Sequence, residues 1–470
     1  MARTLRKEKL PVRREVAAKV FDVVEFGAVP DGKTDCTVAI ANAIAACERA
    51  GGGKVRLRGR IVTGPIHLRS NVELSIEGEV LFLTTPRNYL PAVPIWRDGI
   101  ECQSYSPFIH VFNCANVAIT GNGILRARGE SWWQWAKHEA RSLRRLVEAP
   151  RAEDRVFDTP ATGFRPPLIA VSRSRDVRVE GLTLLGAGAG DSIQIDRCER
   201  VTLRSLILKV EDGIDNAGIA IDSTRNVSVE KLEVQSSGPA IILQAHESGV
   251  TQDVSVRDFK VKSRECALLI KGDRGGAIRG VTIADGSCNG SGVGFCFSAS
   301  RGRGGIVEDI DIHDIDLGEL SDDCIRLSAA SESGSRRGRG PDFRKIVLRN
   351  IACRQAKVAV HLEGLPDQLL ENIELHKVII VSQQGLFCSL ANGVKLNDVK
   401  IKPSIGPALA IRDSRRVTID GMHQEQLHGI FLEVRGRQTR EIVLRHGKRQ
   451  KHRPSVVVGI DVPKDAIVHA

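Results

Sequence analysis

Asp176–Leu184 reads DVRVEGLTL, Arg200–Leu208 RVTLRSLIL, Asn226–Val234 NVSVEKLEV and Asp253–Val261 DVSVRDFKV. The same pattern continues as GVTIADGSC from Gly280, DIDIHDIDL from Asp309, KIVLRNIAC from Lys345, NIELHKVII from Asn372, DVKIKPSIG from Asp398 and RVTIDGMHQ from Arg416. A polar residue is followed by V-x-V or a relative, then by a second apolar strand. The period is about 25 residues, which is solenoid spacing. Each unit adds a third apolar run, such as AIILQ after Pro239, ALLIK after Cys266, GFCFS after Val293, CIRLS after Asp323 and VAVHL after Lys357.

Three short alternating strands per unit cannot bury their inner faces alone, so stacked coils must share one apolar column. The fold class expected is all-β: a right-handed parallel β-helix of about 25-residue coils. A leucine-rich horseshoe is set aside because its LxxLxLxxN consensus is missing. A β-propeller has a longer period. Val177, Val201, Val227, Val254 and Val281 are expected to stack in one inward column.

Outside the repeats, Asp35 is placed to cap a helix over about Cys36 to Ala50, with Ile40, Ile44 and Cys47 on its apolar face. This helix is expected to plug the N-terminal end of the stack. The organisation read is a basic N-terminal segment (1–20), a cap (21–60), the β-helix (61–435) and a basic tail (436–470). Trp132 to Pro167 reads as a long surface excursion, and Ser331 to Asp342 as a Gly/Arg-rich loop.

The 470 residues carry 68 Lys plus Arg against 57 Asp plus Glu, a surplus of +11 that suits polyanionic partners. Aromatics are only 4%, too few for base-stacking platforms, and nucleic acid is not the partner expected. No apolar run is long enough for a membrane span, and no secretory signal is visible. Location stays open: cytoplasmic as written, secreted or periplasmic by analogy with the family named below. The 11 cysteines include no C-x-x-C pair, and most sit inside apolar runs. They read as buried thiols, with no metal site and no cofactor implied.

FGAVPDGKTDCTVAIANAIAAC from Phe26, IVTGPIHLRSNVELSIEGEVLF from Ile61, GNGILRARGESWW from Gly121, RPPLIAVSRSRDVRVEGLTL from Arg165, NAGIAIDSTRNVSVE from Asn216 and SRGRGGIVEDI from Ser300 hold both order and spacing. Over roughly residues 21 to 435 the chain resembles glycoside hydrolase family 28, the polygalacturonases of the pectate-lyase-like superfamily. The resemblance implies an inverting glycosidase site on one face of adjacent coils, built from N-T-D, D-D, G-H-G and R-I-K motifs. It also implies a galacturonan-type acidic polysaccharide as partner, met by a monomer.

Carried over residue by residue, those motifs fall on substitutions. Ala217 stands for the N-T-D carboxylate, Gly238 and Pro239 for D-D, Cys266 for the histidine, and Cys296 and Ser298 for the arginine and lysine. Hydrolysis by two carboxylates has no candidates left at these positions. The expectation is that these positions line one exposed concave face without catalytic groups.

Substitute acids within reach of that face are Asp212, Asp215, Glu265 and Asp323, with Glu211 and Asp322 beside them; the bland reading is solvated turn acids. Asn216, Lys271, Arg274, Arg301, Arg303 and Arg326 are the candidate substrate-binding residues, or ordinary turn charges. His246-Glu247 reads as a turn pair. Trp132, Trp133 and Trp135 suit sugar stacking or simple packing. The GAGAG at Gly186 is a Gly-rich turn with no phosphate-loop signature. Three functions stay open: a non-catalytic polysaccharide binder, a hydrolase or lyase using other acids, and a structural or polyanion-binding solenoid.

Overall fold

The computed structural model describes residues 19–469, apart from 187–189, 211–213, 247, 273–274, 300–303, 330–339, 422–429 and 446–454. Among the described residues, 33 strands join in one parallel ladder that winds as a right-handed β-helix.

The register explains the repeat. Val117 pairs with Val177, Val177 with Val201, then Val227, Val254, Val281, Ile310, Ile346, Ile373, Val394, Val417 and Ile442 in turn. All twelve side chains are buried. The polar residue before each one is a corner. Asp176, Asn226, Asp253, Asp309 and Asn372 all take φ between 54° and 57°. Asn and Asp tolerate this left-handed turn, which favours them at the opening of several units, while Arg200, Lys345 and Arg416 open others at φ 54–55°. Gly280 (φ 64°) fills the same role without a side chain.

One repeat is out of phase with the sequence reading. Val394 occupies the column between Ile373 and Val417, whereas Val399 of DVKIKPSIG pairs with Val378 on the next side of the coil. The unit therefore opens at Gly393 (φ 83°), not at Asp398. Two successive strands with the same alternation cannot be phased by alternation alone.

The coils also run further than 61–435. Val20–Asp22 pairs with Gly53–Leu57, and Asp31–Asp35 with Arg60–Thr63, so the cap segment supplies the first coil. At the far end Arg440–Arg445, Val456–Val458 and Ile467–His469 extend the stack into the stretch read as a tail.

The cap helix is Thr37–Arg49, and Asp35 Oδ1 accepts the Thr37 amide at 2.9 Å. It packs on the first strands through Ile40, Ile44 and Cys47, all buried. Ile40→Ala is expected to cost about 2–4 kcal/mol, read as a fall in the denaturant midpoint without a change in slope. A change within 0.5 kcal/mol would mean the helix is not a load-carrying part of the core.

Trp132–Pro167 is not a bare excursion. Gly129–Trp135 forms a 3-10 turn and Ala136–Glu148 a helix, and Val156–Phe157 joins an antiparallel hairpin of Val93–Arg97 and Ile100–Ser104. Ile95, Ile100, Cys102, Leu146, Phe157 and Phe164 form a small second core there. These residues come from three separated segments, so no local periodicity announces them. Among the described residues, no helix is long and apolar enough to cross a membrane.

Candidate active-site face

Ile193–Asp196, Ile219–Asp222, Ile241–Ala245, Cys266–Gly272, Val293–Ser298 and Ile325–Ser328 are consecutive in-register strands on one side of the coils. Alternation turns two columns outward. One runs Gln194, Ala220, Ile242, Leu269, Cys296, Arg326, and the other Asp196, Asp222, Gln244, Lys271, Ser298, Ser328.

Backbone bonds stack the residues just before these strands. The Gly218 amide donates to Pro239 O and the Ala240 amide to Cys266 O, both at 3.0 Å. Ala217, Pro239 and Cys266 therefore follow one another on successive coils, with Cys296 and Ser298 on the next. The positions expected to line the face do share it, but most of them are not exposed. Ala217, Gly238, Pro239 and Cys266 are buried, and only Cys296 and Ser298 are partly open.

The cover comes from the insertion. Arg165, buried, is held by Glu139 Oε2 at 2.6 Å and donates through Nη1 to Ile214 O and to Asn216 Oδ1. Asn216 is thus committed to structure rather than presented to a substrate. The Ala217 amide donates to Asp191 Oδ1 at 3.3 Å. Burial raises the Asp191 pKa, while Arg97, the Ala217 amide and Arg165 restrain the rise.

One coil on, the hairpin lies across the outward columns. Gln194 Nε2 donates to Trp96 O at 3.0 Å and to Asp196 Oδ2 at 2.7 Å. Asp222 Oδ2 accepts from His246 Nδ1 at 2.6 Å, and His246 Nε2 stands 3.1 Å from Asp98 Oδ1 at the hairpin tip. Burial works against a charged His246, but hydrogen bonds to Asp222 and Asp98 and their charges outweigh it and push its pKa up to about 9. Asp196, stacked against Asp222, is held well above the usual carboxylate range by burial first and then by the Asp222 charge.

His246 is therefore not half of a turn pair but the buried link between the hairpin and the coils; Glu247 lies outside the described residues. The sequence reading missed Asp98, Glu139, Arg165, Asp191 and Asp196 as members of this face. The repeated endings IQID and IAID were the available signal for Asp196 and Asp222.

Of the substitute acids, Asp212 lies outside the described residues, as do Arg274, Arg301 and Arg303. Asp215 and Glu265 sit at the exposed rim. Partial burial raises the Glu265 pKa, and the nearby Asp215 charge raises it further. Asp323 is buried and pairs with Arg326 Nε at 2.7 Å, while Asp322 takes Arg326 Nη2 at 2.9 Å. Arg326 is occupied by these acids, which removes it as a ready substrate clamp. Lys271 keeps its place in the outward column between Gln244 and Ser298.

Burial pushes the Cys296 thiol up to about 11 and Cys266 higher still, so neither is a thiolate nucleophile near neutral pH. Trp132 and Trp135 are buried among Tyr89, Tyr105 and Phe108, with the two indoles 4.7 Å apart. They pack the insertion onto the core rather than offering a sugar platform.

No protein-family model matches the chain. A polygalacturonase of Chamaecyparis obtusa is 24% identical over 253 residues, 52% of this chain and 43% of that protein. A probable polygalacturonase of Vitis vinifera is 25% identical over 256 residues, 48% of this chain and 51% of that one. The chain spans about half the length of these curated relatives. Among solved structures, a hyperthermoactive exopolygalacturonase from Thermotoga maritima superposes with TM-score 0.77 at 26% identity, covering 84% of this chain and 93% of the other. A Family 28 exopolygalacturonase of Yersinia enterocolitica shares the fold at TM-score 0.67 and 15% identity, covering 89% and 78%. The chain is a polygalacturonase-like parallel β-helix protein.

Proposed function

We propose that this chain is a polygalacturonase-like β-helix that binds acidic, galacturonan-type polysaccharide without hydrolysing it. The observation that carries this reading is the stack of Ala217, Pro239 and Cys266 on successive coils of the face. None of these side chains can deliver a proton to a leaving sugar oxygen or activate water at neutral pH. Inverting hydrolysis needs two carboxyl groups about 6.5–9.5 Å apart around the bond. General acid–base action contributes about 10²–10⁴-fold, so a face without it leaves turnover near background.

One observation favours a second reading. Glu265 has an acid pKa raised beside the charge of Asp215, the pattern of environments that separates an acid from a base. In that reading the pair at the rim performs hydrolysis.

A reducing-end assay on polygalacturonate and rhamnogalacturonan decides between them. The expected outcome is no release above background, together with saturable binding of galacturonan. Depolymerisation abolished by Asp215→Asn or Glu265→Gln would establish the second reading instead.

A further inference from the structure

The corner that follows the covered face holds a groove of about 680 Å³ whose lining includes Arg173, Arg175, Arg197 and Arg225. The geometry points to this groove as a binding site for a linear polyanionic glycan, separate from the substituted face. The ligand class rests on the proposed function, but the site does not.

Two of the arginines are already held in place. Arg197 lies over the Trp96 ring at 4.1 Å and donates to Gly99 O at 3.2 Å. Arg173 approaches the same ring at 5.5 Å and pairs with Glu101 at 3.2 Å. The hairpin that closes the face thus orders two guanidinium groups of the neighbouring groove.

Arg175 and Arg225 are different. They belong to one outward column, Arg175–Glu199–Arg225–Gln252, on consecutive coils. Both are exposed, and neither has an ion pair or side-chain hydrogen bond among the described residues. The acid between them is drawn away, because Glu199 Oε1 pairs with Arg200 Nη1, and Arg200 also takes Asp176 at 2.8 Å. Further along the same column, Glu308 and Arg344 neutralise each other at 2.8 Å. The column is self-neutralised there and left positive here.

Coil spacing makes a chain ligand the natural fit. Arg175 and Arg225 are two coils apart, roughly 9–10 Å at strand spacing, and open along the solenoid axis. Planar guanidinium groups engage carboxylates in two-pronged hydrogen bonds, which suits uronate groups repeated along a stiff chain. A nucleic acid would need base-stacking surfaces, and the nearby indole of Trp96 already carries both guanidinium groups.

The test is calorimetric titration of a galacturonate octamer into the full chain and its variants. Arg175→Gln/Arg225→Gln is expected to weaken binding by about tenfold or more and to flatten its salt dependence, with thermal stability unchanged because both side chains are exposed. Arg175→Lys/Arg225→Lys should fall between. Lys271→Ala, on the partly open end of the substituted face, should leave affinity within about twofold. Affinity lost in Lys271→Ala but kept in the arginine variant overturns the groove and leaves the proposed function standing. Absence of any galacturonate binding overturns the groove and the binding half of that function together. Equal affinity for duplex DNA, or for fully methyl-esterified galacturonan, also overturns the proposal.

Discussion

Val227→Asp is expected to abolish cooperative folding of the solenoid, while Ser228→Lys on the same strand is expected to leave it intact. Val227 is buried in the inward column between Val201 and Val254, and Ser228 faces outward between Thr202 and Ser255. A carboxyl group in that dry column has no donor to meet it and must take up a proton. Full burial raises a carboxyl pKa by up to 3–5 units, so at neutral pH the group is protonated in the folded chain at a cost of about 4 kcal/mol. Lost packing adds to this. Domain stabilities are about 5–15 kcal/mol, so the variant is left with little or none. Far-ultraviolet circular dichroism through a denaturant titration reads the result. A cooperative transition within about 1 kcal/mol of the parent would contradict the column.

Stability should pass through a maximum near pH 6.5, with histidines acting on both sides. His246 has its folded pKa raised to about 9. Its contribution is complete below about 6.5, the unfolded value, and is lost as pH rises through 9, roughly 3 kcal/mol in all. His110 has the opposite sign. Burial, then the charge of His67, lowers its folded pKa to about 3. The unfolded chain takes up the proton first, so stability falls as pH drops from about 6.5 to 3, by roughly 4–5 kcal/mol. Asp196, with its raised pKa, works against that acid limb, so the variants are compared with the parent at each pH. His246→Gln is expected to lose the alkaline limb and about 3–5 kcal/mol at pH 6.5, because Asp222 is left buried without its cation. His110→Phe is expected to gain on the parent steadily below pH 6.5. An alkaline limb unchanged in His246→Gln would show that the histidine is not charged in the folded chain.

Much of the architecture was legible because it is local. Alternation of Val177 with Val179 sets which side chains face inward, and a regular spacing carries that assignment from coil to coil. Where spacing varied, phase was lost: Gly393 opens the unit that DVKIKPSIG had suggested. The ends were misread because the last coils interleave strands with charged segments such as Arg440–Arg445, whose inward residues are only Ile442 and Leu444.

That Ala217, Pro239 and Cys266 follow one another on successive coils was also readable, from the order of motifs along the chain. What surrounds them was not. Asp215 and Glu265 are 50 residues apart in sequence, and their mutual charge is a property of stacked coils.

The sequence by itself determined the repeating strands and the cap helix over Thr37–Arg49, because each depends on residue type and short-range spacing. Tertiary structure alone decided that the first coils of the face are covered. Gln194 meets Trp96 from 98 positions earlier, and His246 meets both Asp222 and Asp98. Such contacts depend on where an insertion folds back across several coils, and that is settled by a small core of Ile95, Leu146, Phe157 and Phe164, which carries no period in the chain.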